Sequence, residues 1–382
     1  MIKPQEEASH MVTFSPPRPF DELRMTEMAA IIILLASTVP MFAEAVDFHQ
    51  LRQKATRRNV TCLLVFGDST VDPGNNNLLA SGAPKSNFPP YGKDFFNGRP
   101  TGRFTNGRLA TDFIAEAFGF GHVAMIRGFL DPTANKADLL HGISFASAGS
   151  GYDEVTANFS HSFSVSKQLE YFRHYKIHLS RLAGEMTARQ VIEDAIYIVS
   201  MGTNDFLQYY VEPTRSMQFG LQQYQNFLIS RMLRFVQALH SMGARRLAVV
   251  GVPPFGCIPV VKAFLGQTKC LEQYNDVAIS FNSKLKRELA ALEASLGIQS
   301  AYIDIYVVIS SAIQNPTKYG LKETGKGCCG TGTTEVGDGC KGMNTCSDAT
   351  KYVFWDAIHP TEKMYQIIAY QALKSIYENL LN

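Results

Sequence analysis

Net charge, tryptophan and long apolar runs are all scarce in this 382-residue chain. Lys and Arg number 36 against 34 Asp and Glu, a formal charge of +2, and no Lys/Arg block or RNA-reading motif concentrates it. Nucleic acid is therefore not an expected partner. No segment reaches the roughly 20 apolar residues that span a bilayer, so no stable membrane anchor is expected in the mature chain. Paired C-x₂₋₄-C knuckles are missing, which disfavours zinc, and neither metal nor cofactor is expected. The chain shows no internal repeat and no linker, so one domain is expected despite a length prior of roughly 150 residues per domain. A hydrophobic fraction of 46% excludes wholesale disorder.

What is present begins with a leader. Ala29 to Val39 is an apolar core of signal-peptide length, and Ala43-Glu44-Ala45 fits the small-x-small cleavage pattern. The expectation is a signal peptide and leader over residues 1–45, with Met25 as an alternative start, followed by a single domain over residues 46–382. The first 45 residues hold three basic and six acidic side chains, so the mature chain would carry +5. Cysteine usage agrees with an oxidising compartment. Cys62 lies inside an apolar run and reads as a buried free thiol. Six others remain, and four of them crowd a Gly-rich segment over residues 328–346 that needs cross-links to hold a shape. Disulfides are expected among the six. Asn59-Val60-Thr61 and Asn158-Phe159-Ser160 are N-glycosylation sequons, which gain weight behind a signal peptide.

The chain is organised around Val65 to Asn77. Cys62 to Phe66 reads as a buried strand that stops at Gly67-Asp68-Ser69. Ligands of open parallel sheets bind beyond the carboxyl ends of the strands, where this serine stands, although a serine there can also serve as a helix cap. A phosphate cradle would need spaced glycines and a lysine that are missing. Residues 81–107 form a long Gly/Pro/Asn-rich loop whose aromatics favour an ordered wall beside the site. Further strands are expected at Gly142–Ala146, Ala195–Met201, Arg246–Val250 and Ser300–Ile305. Amphipathic helices alternate with them, among them Leu109–Phe118 and a last one over Thr361–Leu381 started by Pro360. Such alternation means a parallel sheet with right-handed crossovers.

Three strand ends then deliver Ser69, Gly149 and Asn204 to one edge of that sheet, and Asp356-Ala357-Ile358-His359 adds a carboxylate and an imidazole three residues apart. Together they form a parts list for acyl transfer. A serine hydroxyl needs a base, the base needs a fixed tautomer, and the tetrahedral oxyanion needs preorganised donors. Ser69, His359 and Asp356 would supply the first three functions. The oxyanion donors would be the backbone N–H groups of Ser69 and Gly149 and the side-chain amide of Asn204. Taken alone, Gly149 could be a plain turn glycine, Asn204 an Asx-turn residue and Asp68 a holder of the loop.

Phe66-Gly67-Asp68-Ser69, the glycine of Phe145-Ala146-Ser147-Ala148-Gly149, Gly202-x-Asn204-Asp205 and Asp356-x-x-His359-Pro360 resemble the four signature blocks of the SGNH hydrolases. Asp72-x-Gly74-Asn75-Asn76-Asn77, Asn106-Gly107-Arg108, Cys328-Cys329-Gly330 and Phe354-Trp355-Asp356 resemble the plant GDSL esterase/lipases in particular. The resemblance covers about residues 60 to 380. Two departures stand out: Thr70 where the motif name has leucine, and Ser144 and Ala148 in the second block, which leave Gly149 and Gly151 as candidates, with Gly149 favoured by its offset from Ser144. A three-layer α/β/α sandwich with a central five-stranded parallel sheet, flavodoxin-like in outline, is what the resemblance implies for the fold. For function it implies a metal-free serine esterase or lipase, secreted to the cell wall or apoplast, acting on lipid, cutin-like or acetylated-glycan esters, and a monomer is expected. Acyl transfer to another alcohol, deacetylation of polysaccharide, and a non-catalytic lipid- or glycan-binding protein are the alternatives. The Gly-x-Ser-x-Gly elbow of ordinary α/β-hydrolases is absent around Ser69.

Overall fold

Every residue of β1 (Leu63–Gly67) is buried, because Leu63-Leu64-Val65-Phe66 offers an apolar side chain to both faces of a sheet. The computed structural model describes residues 47–120 and 125–382. The leader and cleavage site expected over residues 1–45 lie outside them. Beside β1 run β2 (Arg127–Gly128), β3 (Gly142–Ser144), β4 (Ile196–Ser200), β5 (Arg246–Val250) and β6 (Gln299–Ile303). Their order is β2-β3-β1-β4-β5-β6, with every neighbouring pair parallel. The five expected strands are thus joined by a sixth at the edge, β2, whose two residues are too few to leave a hydrophobic pattern. The order reverses at β1, so its carboxyl end is the switch point at which ligand crevices form in such sheets.

Helices cover both faces, and strand alternation decides what each face meets. Leu64, Phe66, Tyr197 and Val199 point to one side. There the Phe66 ring lies 4.9 Å from Phe145, 5.6 Å from Phe172 and 5.6 Å from Phe235 between centroids. These aromatic contacts fasten the helices Val165–Ala183 and Leu221–Ser241 to the sheet. Ile198 and Ser200 point to the other side, covered by the helices Ala110–Phe118, Ile305–Gln314 and Glu362–Leu380. Among the described residues, no helix is long and apolar enough to cross a membrane.

The last helix begins later than the proline suggests. Thr361 is its N-cap, with its hydroxyl accepting from the Met364 N–H at 3.2 Å, a service proline cannot perform. Pro360 lies outside the helix, and its carbonyl accepts from Thr105 Oγ1 at 3.0 Å. Disulfides join Cys257 to Cys270, Cys328 to Cys346 and Cys329 to Cys340, while Cys62 is buried and free. The last two bridges close the Gly-rich segment between β7 (Glu323–Gly327) and β8 (Tyr352–Phe354), a short parallel pair.

Candidate active site

Beyond β1 the backbone turns where only glycine fits. Gly67 has φ +149°, and a Cβ there would stand 2.0 Å from the Ser200 carbonyl oxygen. The next N–H, of Asp68, donates to that carbonyl at 3.0 Å. The Asp68 carboxylate then accepts from Thr70 N at 2.9 Å and Thr70 Oγ1 at 2.7 Å, a side-chain turn that presents Ser69 between them. Ser69 keeps 7% of its surface exposed and His359 keeps 4%. Both line the same cavity.

Ser69, His359 and Asp356, separated by up to 290 residues, meet in one hydrogen-bond chain. His359 Nε2 lies 2.7 Å from Ser69 Oγ, and Nδ1 lies 2.8 Å and 3.0 Å from Asp356 Oδ2 and Oδ1. A carboxylate can only accept, so Nδ1 carries the proton and Nε2 is left to accept from the serine hydroxyl. Asp356 is itself held by the N–H groups of Ile358 at 2.8 Å and His359 at 2.7 Å, both on Oδ1, and by the Tyr91 hydroxyl at 2.7 Å on Oδ2. Tyr91 accepts in turn from the Gly337 N–H at 2.7 Å, inside the disulfide-closed segment. Burial, reinforced by the Asp356 charge, raises the Tyr91 pKa well above its ordinary value, so the phenol stays a donor.

Sequence reasoning missed Tyr91. It stands in the loop expected to form a wall beside the site, within the run Phe88-Pro89-Pro90-Tyr91-Gly92. That loop is ordered by a buried bidentate pair, Arg103 with Asp112, at 2.9 Å from both Nε and Nη2. Phe104 from the same loop sits 4.9 Å from the His359 ring, which shields the imidazole from solvent.

The oxyanion candidates are placed by a second network. Asp72 accepts from the N–H groups of Gly74, Asn75 and Ala148 at 2.8, 2.6 and 3.1 Å. Asn75 Nδ2 donates to the Ser144 and Ala146 carbonyls at 2.9 and 2.8 Å, and Asn76 Nδ2 to the Ala148 carbonyl at 2.9 Å. The Asp-x-Gly-Asn-Asn-Asn run therefore staples the loop after β1 to the loop after β3. Gly149, at φ +89°, is half-buried, and within the described residues neither its N–H nor that of Ser69 has a backbone acceptor. A Cβ on Gly151 would lie 2.2 Å from Asp205 Oδ1, so that glycine makes room for a buried carboxylate. Asn204 Nδ2 donates to the Ser150 carbonyl at 2.9 Å, which fixes the amide plane and leaves the second N–H unspent. Ser69, His359 and Asn204 line one cavity; Gly149 and Asp356 do not line it.

Three fully buried carboxyl groups surround this framework. Burial pushes Asp68 and Asp72 up to about 6 and Asp205 up to about 7. The folded protein thus keeps protons that an unfolded chain has released above pH 3.8, and the stability these groups contribute is lost as pH rises through 6 to 7. Thermal melting is expected at a higher temperature at pH 5 than at pH 7.5. A melting temperature that rises with pH across this window contradicts the assignment.

Comparison with known proteins identifies the family. Residues 63–372 match the family described as GDSL-like Lipase/Acylhydrolase. The chain is 53% identical over 338 residues to GDSL esterase/lipase At5g45950 of Arabidopsis thaliana, covering 88% of this chain and 94% of that protein. It is 42% identical over 328 residues to GDSL esterase/lipase At2g04570 of the same plant, covering 84% and 93%.

Proposed function

Because the chain belongs to the family of GDSL-like lipases and acylhydrolases, we propose that its carboxylic ester hydrolase activity runs through a Ser69-His359-Asp356 triad. The observation that carries the reading is the hydrogen-bond chain from Asp356 through His359 to Ser69 Oγ. His359 Nε2 takes the Ser69 proton as Oγ attacks the ester carbonyl carbon, and Asp356 stabilises the imidazolium that results. The N–H groups of Ser69 and Gly149 and the free N–H of Asn204 receive the oxyanion. On collapse the imidazolium donates its proton to the departing alcohol, leaving an acyl ester on Ser69. Water then attacks this ester, His359 takes the water's proton, and the acid leaves with Ser69 restored.

The same reading holds that residues 1–45 are removed as a leader, that residues 46–382 act as one secreted hydrolase domain, and that it carries glycans. Three disulfides and two exposed sequon asparagines, Asn59 and Asn158, support it. Labelling of the secreted protein with a fluorophosphonate tests the mechanism. A single adduct is expected, on the peptide that contains Ser69, and an unmodified Ser69 in enzyme that turns over ester overturns the assignment.

A further inference from the structure

The cavity that opens at Ser69 and His359 runs inward between the sheet and one of its two helical layers. Its sheet wall is made of Ile198, Val250 and Ile303, the side chains that alternation turns to this face of β4, β5 and β6. The opposite wall is made of Ile309, from the helix Ile305–Gln314, and of Ile368 and Ala372, from the C-terminal helix. The other face of the sheet has its interlayer space filled by the aromatic contacts of Phe66. Asp68, Ser69, Thr70, Thr203 and Asn204 follow the strand ends, and the side chains beyond them are mostly aliphatic, with Thr111, Ser200 and Tyr365 as polar groups among them.

The geometry points to this cavity as an acyl-chain site that takes a medium-length aliphatic acyl group, sliding it between sheet and C-terminal helix while the ester carbonyl stays at Ser69. This rests on the serine esterase reading above. Length is set along the C-terminal helix. Tyr365 lies at the nucleophile end, in the first turn of the helix that starts three residues after His359, and it lines the cavity together with Ser69 and His359. A helical rise of about 1.5 Å per residue puts Ala372 about 10 Å further on, the reach of about eight carbons. Each methylene moved from water into such a pocket improves kcat/KM by roughly fourfold, so octanoyl esters are favoured over butanoyl esters by about 10².

The test compares p-nitrophenyl butyrate, octanoate and palmitate with wild type, Ala372→Leu, which fills the inner end, and Ile309→Ala, which enlarges it. Wild type is expected to prefer octanoate. In Ala372→Leu the octanoate-to-butyrate ratio of kcat/KM is expected to fall at least tenfold, and in Ile309→Ala the palmitate-to-octanoate ratio is expected to rise. Should Ala372→Leu fail to fold by thermal melting, the Ile309→Ala shift carries the decision. Ratios unchanged in the folded variants, with Ser69-dependent hydrolysis intact, overturn the pocket alone. Absence of Ser69-dependent turnover on all three esters overturns the esterase reading, and the pocket with it.

Discussion

Asp356→Asn is expected to lower kcat by about 10⁴ with KM within a few fold of wild type. The carboxylate fixes the proton on His359 Nδ1 from 2.8 Å, whereas an amide can donate there and force the proton onto Nε2. With Nε2 protonated, Ser69 has no base. KM should change little because Asp356 is fully buried and does not line the cavity. Tyr91→Phe makes the companion measurement, since it removes one donor from Asp356 and leaves the carboxylate in place. It is expected to cost roughly tenfold in kcat, the scale of one hydrogen bond to a charged group. A kcat within tenfold of wild type for a folded Asp356→Asn protein would remove the aspartate from the mechanism.

Parts of this arrangement could be read from the chain because their causes are local. The strand ending at Gly67, the turn presenting Ser69 and the three-residue spacing of Asp356 and His359 each lie within a few consecutive residues. So does the Asp72 to Asn77 run, although its job of stapling two loops depends on carbonyls 69 to 72 residues away. Tyr91 shows where reading stops. Its two partners, Gly337 and Asp356, are 246 and 265 residues distant, and nothing in Phe88-Pro89-Pro90-Tyr91 says which way the hydroxyl will point. The same limit applies to the disulfides. Six cysteines signal cross-links, but they permit 15 pairings, and the fold selects one of them. The cavity is the extreme case. Its walls come from alternate residues of three strands and from the helices Ala110–Phe118, Ile305–Gln314 and Glu362–Leu380, and the vacancy depends on which helical side chains fail to fill the layer.

Ser69 carries the most weight in the account, because every step of the proposed reaction passes through its Oγ. A hydroxyl held 2.7 Å from an imidazole that a carboxylate orients is an activated nucleophile, and its removal leaves only the oxyanion donors and binding to act on the ester. The most direct measurement is therefore kcat/KM for p-nitrophenyl octanoate with wild type and Ser69→Ala, the two matched by thermal melting. The account predicts active wild type and a loss on the order of 10⁶ in the variant. Turnover of the folded Ser69→Ala protein within tenfold of wild type would contradict it.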